Sequence, residues 1–375
     1  MNRSSTLRYV TRVSPRVLSA PLVVLALVAL AACGGSGSSK PTNSPSAASS
    51  VIDSARCASN KDAGTITYLT GYNYQASASI LEVLAAQDLG YYNDVCLTVK
   101  IEPGTGDTAQ NDQLLAAGTA TVSAIAQQDL IQANLNGQKI TGISSYSDAG
   151  LDVLMTMPDV TDLRALDGKT LGFKGYMPIA LQAMLEKAGV DFKSLKIVKV
   201  GYDPSVLPRG KVQALTGFVS NEPLLLEAAG TKPTVWQPST YGIASSLGAF
   251  AVNPAFAAAN PEAVQDFLRA TFHAYVYCSL PANVDACIAI QHKYAGADDD
   301  ATHEKGVWTT ETGVVAANPL PGGFGSIDEN NIAELADLIS TYGGQKVDAA
   351  TAQSFFDPSF AEAIAPNGQV QWPND

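Results

Sequence analysis

The sequence of 375 residues has few charged residues, fewer basic than acidic ones and, after residue 32, no long hydrophobic run. Charged residues make up 15% of the chain and hydrophobic residues 46%, so a sizeable core can form and a disordered tail protein is excluded. Lys and Arg number 23 against 35 Asp and Glu. This balance excludes a typical nucleic-acid-binding protein, because phosphate backbones are held by clustered basic residues. No later segment approaches the roughly 20 apolar residues that cross a bilayer, so we expect a soluble body.

Residues that support catalysis are also scarce. The chain has three histidines, His273, His292 and His303, and none is spaced from another histidine or a carboxylate as a zinc site requires. The sequence also lacks a Gly-x-Ser-x-Gly elbow, a P-loop and a dinucleotide-binding fingerprint. We therefore expect no enzymatic activity, no metal and no cofactor. The three histidines are interpreted as solvated or helix-capping residues.

The first 60 residues indicate export and attachment to a membrane. Residues 1–32 contain four arginines, no acidic residue and a terminal apolar run, which is the pattern of a signal peptide. The segment LAACG at 30–34 resembles a bacterial lipobox, so we expect lipidation of Cys33, with ordinary cleavage beside an incidental cysteine as the alternative. Residues 33–60 are assigned to this cysteine and a Gly/Ser/Pro-rich linker. The acyl chains would hold a soluble domain at the extracytoplasmic face of the cell membrane.

Four further cysteines, Cys57, Cys96, Cys278 and Cys287, agree with export to an oxidising compartment. Four cysteines allow three pairings, and proximity along the chain favours Cys57 with Cys96 and Cys278 with Cys287. Neither pair has the Cys-x-x-Cys spacing of a zinc or thioredoxin-type site. Free buried cysteines are the alternative.

From residue 64 onward, short β-branched runs alternate with helical stretches that end at glycines, which predicts parallel α/β sheets. The first series has strands at 65–69, 96–102, 120–125 and 139–145 and helices at 77–89, 108–117 and 128–136. The second has strands at 152–157, 170–173, 195–200, 211–216 and 234–237 and helices at 178–188 and 222–229. A strand at 249–252 and long helices at 261–278, 284–294, 301–315 and 327–342 follow. Two α/β lobes and a helical tail fit this length better than one core.

Five stretches in a fixed order resemble the signature segments of one family. They are AAQDLGYYNDVCLTVKI (85–101), DQLLAAGTATVSAI (112–125), LRALDGKTLGF (163–173), RGKVQALTGFVSNEP (209–223) and NPEAVQDFLRATFHAY (260–275). With the lipobox, they resemble the bacterial ABC-importer solute-binding proteins for nitrate, sulfonates, taurine and thiamine-pyrimidine precursors. The 209–223 stretch is most similar to the pyrimidine-precursor branch, although Gln213 and the segment 118–121 lack the family's usual aspartates.

The resemblance implies a fold, a mode of action and partners. The fold would be the α/β, two-lobe type II periplasmic-binding-protein fold, or Venus flytrap, with a helical C-terminal region. One lobe is predicted at 61–148 with 243–375 and the other at 149–242, joined near 146–152 and 238–246. The protein would be a monomer that captures a small-molecule solute between its lobes and delivers it to an ABC permease and its ATPase. It would touch the membrane only through its lipid anchor and would bind no nucleic acid.

Four loops that follow predicted strands carry the candidate ligand-binding residues, because ligands of open α/β sheets bind beyond the carboxyl ends of strands. The eight candidates are Tyr72, Asn73, Tyr74, Gln127, Lys174, Tyr176, Asn221 and Glu222. The tyrosines offer faces on which a flat ring gains roughly 1–3 kcal/mol by stacking. Asn221 and Glu222 offer hydrogen bonds to ring nitrogens and to an exocyclic amine. An Asn N-cap before a first-turn acid and a proline would explain the same residues without a ligand.

The charges of these loops favour one class of solute. Lys174 is their only basic residue, and Glu222 and Asp129 oppose it, whereas a nitrate or sulfonate needs a cation or several N–H donors. We therefore predict a planar heteroaromatic or amine-bearing solute that is similar to a thiamine-pyrimidine precursor. The alternatives are an anion of the nitrate, sulfonate or taurine type, a sensor lipoprotein, and an enzyme on the same scaffold.

Overall fold

A computed structural model describes residues 50–106, 108–296 and 299–373 of the chain. The predicted signal peptide, Cys33 and the first part of the predicted linker lie outside the described residues. The strands are β1 Thr65–Leu69, β2 Thr98–Glu102, β3 Val122–Ile125, β4 Thr141–Ser147, β5 Asp152–Thr156, β6 Thr170–Phe173, β7 Lys196–Lys199, β8 Ala214–Phe218, β9 Thr234–Trp236 and β10 Leu247–Val252. Within these ranges, every helix is too short or too polar to cross a bilayer.

The helices are α1 Ser54–Asp62, α2 Leu81–Asp88, α3 Tyr91–Asp94, α4 Thr108–Ala116, α5 Gln127–Leu135, α6 Ile179–Lys187, α7 Glu222–Ala228, α8 Pro254–Ala259, α9 Pro261–Ser279, α10 Val284–Ala295, α11 Ala301–Ala317, α12 Glu329–Tyr342, α13 Ala349–Gln353 and α14 Ser359–Ile364. Several of the helices end at glycine-terminated stretches of the sequence, among them α4, α5 and α6. Short 3₁₀ turns lie at Leu163–Leu166, Phe192–Ser194, Pro204–Val206 and Pro238–Tyr241. The α/β class predicted from the sequence is confirmed.

Each of the two halves is built on a five-stranded sheet. The first sheet has the strand order β2-β1-β3-β10-β4, and the second has the order β7-β6-β8-β5-β9. The chain leaves the first sheet after β4, at Ser147, and returns to it with β10, at Leu247. We call the part built on the first sheet, with the helices after β10, the first lobe, and the part built on the second sheet the second lobe.

The sheets are mixed, which corrects the expectation of purely parallel sheets. β10 runs antiparallel to β3 and β4, and β5 runs antiparallel to β8 and β9, whereas the pairs of β1 and β6 are parallel. Parallel neighbours need a crossover, usually a helix, between them. β5 is the first strand after the chain enters the second lobe and β10 is the first after it returns. Each enters its sheet directly from the connection, without a preceding crossover helix, and runs in the opposite direction.

The helix α1 lies in a segment where the sequence predicted no regular element, and it begins inside the 33–60 linker range and extends to Asp62. Its start is capped by Asp53, whose carboxylate accepts the N–H groups of Ala55 and Arg56. Arg56 Nε then donates to Asp266 Oδ2 on α9 at 2.8 Å. The cap and this ion pair hold the helix on the first lobe, although its sequence lacks an apolar stripe.

Both disulfides favoured by proximity are present. Cys57 on α1 is bonded to Cys96 ahead of β2, with their Cα atoms 5.2 Å apart. Cys278 on α9 is bonded to Cys287 on α10, with a Cα separation of 5.8 Å. The first bond closes a loop of 39 residues and stabilises the fold by about 3.9 kcal/mol in the chain-entropy model.

The core of the first lobe is a cluster of aromatic side chains beneath the first sheet. Tyr68 of β1 and Phe250 of β10 both pack against Phe267 of α9, with ring centroids 5.7 and 6.0 Å from it. All three side chains are fully buried. This packing fixes β1 and β10 on either side of the central strand β3 and so supports the start of the loop that follows β1.

Candidate functional site

A cleft of about 380 Å³ lies where loops of the two lobes meet. Its walls include residues from the loops after β1, β3, β6 and β8, the four loops singled out by the sequence. Its volume lies in the range of roughly 300–1,000 Å³ that is typical of small-molecule sites. The cleft therefore has the position and the size expected of a solute site.

Five of the eight candidate residues line this cleft: Tyr72, Lys174, Tyr176, Asn221 and Glu222. The other three do not lie among its lining residues. Asn73 is exposed, and the hydroxyl of Tyr74 donates instead to the carbonyl of Ile101 at 3.2 Å. Gln127 is fully buried, and its side-chain oxygen accepts from Asn331 Nδ2 at 3.0 Å. Tyr74 and Gln127 thus serve the packing around the loops, whereas Asn73 faces solvent.

Four exposed aromatic rings surround the cleft. Tyr72 comes from the first lobe, and Tyr176, Tyr202 and Phe218 come from the second. They are 40%, 53%, 70% and 48% exposed, respectively, which is unusual for such large side chains. The sequence analysis missed both Tyr202 and Phe218. Phe218 lies in the loop after the predicted strand 211–216 but was not among the candidate residues, and Tyr202 lies in an irregular segment outside the four loops.

Lys174 and Glu222 form a buried ion pair in the wall of the second lobe. The Lys174 ammonium contacts Glu222 Oε1, and the two side chains are 11% and 3% exposed. Glu222 Oε2 accepts the N–H of Phe218 at 2.7 Å. Gly217 leaves room for this arrangement, since a Cβ there would lie 2.6 Å from Glu222 Oε2. Burial lowers the pKa of Lys174 to about 8, so the amine stays mostly protonated at neutral pH.

Two hydrogen bonds join the loop after β8 to α11, across the two lobes. Ser220 Oγ donates to Glu311 Oε1 at 2.8 Å. Asn221 Oδ1 lies 2.9 Å from His303 Nε2. Asn221 occupies the N-cap position of α7 but makes no side-chain capping bond. The interpretation of Asn221 as a simple helix cap is therefore wrong, and so is the interpretation of His303 as only a solvated or capping residue.

The loop from Ala76 to Ser79, which leads into α2, directs three backbone N–H groups at carboxylates of the chain itself. Ala76 N donates to Glu304 Oε2, Ala78 N to Glu311 Oε2 and Ser79 N to Glu82 Oε1. The bond from Ser79 to Glu82 is half of a capping box, and the helix begins at Leu81, later than residue 77, where the sequence predicts its start. Burial raises the pKa of Glu311 to about 8 and that of Glu304 to about 7.

A pair of carboxylates lies where the two lobes approach each other. It is formed by Asp129 at the start of α5 and Asp152 at the start of β5. Both are half-buried and line the cleft. Burial raises the pKa of Asp129 to about 6. Burial and the neighbouring Asp129 charge raise the pKa of Asp152 to about 7. A cation placed here would relieve the repulsion between the two carboxylates.

The cleft is therefore acidic. Among the described residues that line it, the carboxylates are Asp129, Asp152, Glu222 and Glu311, and the only cation is Lys174, which is already paired with Glu222. The described residues contain no group of three or more His, Cys, Asp or Glu side chains placed to hold a metal ion. The arrangement offers hydrogen-bond acceptors, negative charge and aromatic faces.

Comparison with known proteins identifies the family. The sequence model of the family described as NMT1/THI5 like matches residues 77–281 of this chain. The chain belongs to the NMT1/THI5-like family. This segment contains the candidate residues of the second lobe and of the loop after β3, whereas Tyr72 and α11 lie outside it.

A curated relative of this NMT1/THI5-like chain is the 4-amino-5-hydroxymethyl-2-methylpyrimidine phosphate synthase of Aspergillus parasiticus, which is 25% identical over 229 residues. The match covers 56% of this chain and 66% of the synthase, so it spans slightly less than two thirds of the relative's length.

Solved structures of similar fold include periplasmic binding proteins of ABC transporters. A periplasmic sulfonate-binding protein from Methylobacillus flagellatus is 15% identical, with a TM-score of 0.60, and the match covers 80% of this chain and 93% of that protein. The periplasmic nitrate-binding protein of Synechocystis is 10% identical, with a TM-score of 0.61, covering 80% and 88%. The NMT1/THI5-like chain thus has the two-lobe fold of periplasmic binding proteins, as the sequence predicted.

Proposed function

We propose that this protein is the extracytoplasmic solute-binding component of an ABC importer, and that it captures a planar, amine-bearing heteroaromatic solute similar to a thiamine-pyrimidine precursor. The observation that carries the proposal is the composition of the cleft. Aromatic faces surround its mouth, and its walls hold four carboxylates against one lysine that is already ion-paired. Such a cleft suits a flat ring with N–H donors.

The acceptors of the cleft are arranged for a ligand that donates hydrogen bonds. Asn111 is 3% exposed and lines the cleft, and its Nδ2 donates to the carbonyl of Thr70 at 3.1 Å. Its Oδ1 can act as a hydrogen-bond acceptor in the cleft wall. Asp129 and Asp152 add two carboxylates without a basic partner among the described residues. An aminopyrimidine donates hydrogen bonds from its exocyclic amine and accepts them at its ring nitrogens. The acceptors of the cleft suit the amine, and its hydroxyl groups suit the ring nitrogens.

Capture between two lobes would report solute binding to the permease. A shift of the lobes from 1:99 to 99:1 in favour of the closed state requires about 5.5 kcal/mol of differential affinity, so both lobes must contribute contacts. Tyr72 and Asp129 from the first lobe and Tyr176 and Asn221 from the second are placed to do so. In this proposal the protein acts as a monomer without a cofactor, held at the membrane by lipidated Cys33, and the permease with its ATPase is its partner.

Calorimetric titration tests the solute class. The probes are 4-amino-5-hydroxymethyl-2-methylpyrimidine, its phosphate, taurine and nitrate. We expect the unphosphorylated pyrimidine to bind with a dissociation constant of roughly micromolar or below, and taurine and nitrate to bind at least about a hundredfold more weakly. Tighter binding of taurine or nitrate would refute the amine-bearing solute and favour the anion.

An enzymatic role is the second candidate, because the curated relative is a synthase. It predicts that incubation of the protein with the pyrimidine or its phosphate yields a new product by mass spectrometry. Recovery of the unchanged pyrimidine after binding supports the transport role.

A further inference from the structure

The loop from Ala76 to Ser79 has the geometry of an anion site. Successive backbone N–H groups ahead of a helix attract negative charge, both by hydrogen bonding and through the helix dipole. Ala78 and Ser79 line the cleft, so a solute can reach this loop. The N–H of Ala78 donates to Glu311 Oε2 at 2.7 Å, however, and the carboxylate of Glu311 takes the place that a bound anion would occupy.

Glu311 is held in this position from both lobes. Its Oε1 accepts from Ser220 of the second lobe at 2.8 Å, while its Oε2 accepts from Ala78 of the first. Its side chain is 2% exposed, yet it belongs to the cleft wall. No lysine or arginine is paired with it among the described residues. Burial raises the pKa of Glu311 to about 8, so the side chain is mostly protonated at neutral pH, and a cation bound beside it would lower that pKa and ionise it. Glu311 therefore carries its charge when a cationic group occupies the cleft.

A second feature of the same loop is a strained residue. Ser79 is 8% exposed and lines the cleft, and its N–H and its carbonyl are both hydrogen-bonded. Its φ angle is +69°, a conformation that non-glycine residues rarely adopt. Backbone strain of this kind is concentrated at functional sites, so Ser79 is a candidate contact residue of the cleft.

We propose that Glu311 sets the charge selectivity of the cleft: its side chain takes the backbone N–H that an anionic solute would use, and the negative charge that it carries beside a cation favours a solute with a cationic or amine group next to Ser79. This proposal rests on the solute-binding function proposed above and narrows it to one residue. The carboxylate is the reason why a fold shared with sulfonate-binding and nitrate-binding proteins would accept an amine in this chain.

Glu304 supplies a matched control. It lies on the same helix, seven residues before Glu311, and its Oε2 accepts the N–H of Ala76 in the same way. It is 6% exposed but does not line the cleft. Loss of either carboxylate therefore removes a similar hydrogen bond from the same loop, and only the loss at Glu311 alters the charge that a solute meets.

Benzylamine and benzenesulfonate, which share a ring and differ in charge, test the proposal in wild-type protein and in the variants E311A, E311Q, E304A and E304Q. Ligand-detected NMR gives the ratio of their affinities, and thermal melting verifies that each variant is folded. We expect wild-type protein to prefer benzylamine, E311A and E311Q to shift the ratio toward benzenesulfonate by roughly tenfold or more, and both Glu304 variants to keep it. The isosteric E311Q removes the charge while retaining an acceptor for Ala78, so it stays informative if E311A fails to fold.

The outcomes separate this proposal from the broader function. An unchanged ratio in the folded Glu311 variants, or an equal shift in the Glu304 variants, would overturn the role of Glu311 even if the protein binds a pyrimidine. A shift confined to Glu311 supports that role even if the pyrimidine does not bind. Failure of wild-type protein to bind either probe would overturn the role as well, since a charge-selective cleft must distinguish them.

Discussion

His303 Nε2 lies 2.9 Å from Asn221 Oδ1, and the two residues belong to different lobes. Asn221 Nδ2 donates to Glu222 Oε1 at 2.9 Å, so its Oδ1 must be the acceptor toward the histidine. The proton is thereby assigned to Nε2 of His303. The histidine thus fixes the orientation of an amide in the cleft wall, and it does so from the helical C-terminal region.

Replacement of His303 by alanine removes this donor. Because the amide of Asn221 is then held on one side only, we expect the solute affinity to fall by roughly three- to tenfold while the protein stays folded. Titration calorimetry with the pyrimidine measures this effect. His292, which lies near Asp299 at 3.5 Å and away from the cleft, is the matched control, and H292A is expected to bind like the wild type. Equal losses in both variants would contradict the positioning role.

The ion pair of Lys174 and Glu222 predicts a stability effect. Replacement of Glu222 by alanine leaves the Lys174 ammonium buried without a counter-charge, which costs about 3–5 kcal/mol. Chemical denaturation should show this loss, and the double variant K174M/E222Q should recover part of it. The exposed pair of Lys100 and Glu102 serves as control, since E102Q should change the midpoint little. A fully destabilised double variant would show that the charges themselves are not the cause.

The aromatic rings around the cleft predict an effect on affinity without an effect on stability. Truncation of Tyr72, Tyr202 or Phe218 to alanine should weaken binding of the pyrimidine by about 1–3 kcal/mol each if the ring stacks on the solute. Thermal stability should remain nearly unchanged, because these rings are 40–70% exposed. Leu280, which is 51% exposed and lies outside the cleft, is the control position. Unchanged affinity in all three ring variants would remove stacking from the proposal.

Buried carboxyl groups make stability depend on pH. Burial raises the pKa of Glu82 and of Glu304 to about 7 and that of Glu311 to about 8. In the unfolded chain these groups lose their protons near pH 4.5, so between about pH 4.5 and 8 the folded state binds more protons and stability falls as pH rises. We expect a melting temperature at least a few degrees higher at pH 5 than at pH 8.

The melting temperature of the variant E311Q should depend less on pH, because glutamine cannot bind the proton that Glu311 holds in the folded state. E362Q, which alters an exposed carboxylate, is the control and should follow the wild type. A melting temperature that rises from pH 5 to pH 8 would contradict the assigned direction of the shifts.

The position of the site could be predicted because strand and helix periods are local properties of the sequence. Each of the four loops follows a short β-branched run, and ligands of α/β sheets bind at those ends. Within a loop there is no period, so the sequence could not distinguish Tyr72, which lines the cleft, from Tyr74, which turns into the first lobe. The absence of a periodic pattern within loops also explains why Gln127, which is buried and does not line the cleft, was predicted as a ligand contact.

The contribution of α11 could not be predicted. Glu311 lies 91 residues after its partner Ser220, and His303 lies 82 residues after its partner Asn221. Their helix carries polar residues on several sides, and nothing in its local pattern indicates which ones reach another lobe. Only the packing of α11 against α10, β4 and α7 brings them to the cleft.

The bond between Cys57 and Cys96 also has a mechanical consequence. A force along the chain that precedes α1 is met first by Val51, whose N–H donates to the carbonyl of Asp94 at 2.9 Å, and then by the disulfide at Cys57. The disulfide passes that force to the base of β2 at the margin of the first sheet, and Arg56 shares it with α9. When the preceding segment is pulled, this covalent bond limits how far α1 can separate from the first sheet.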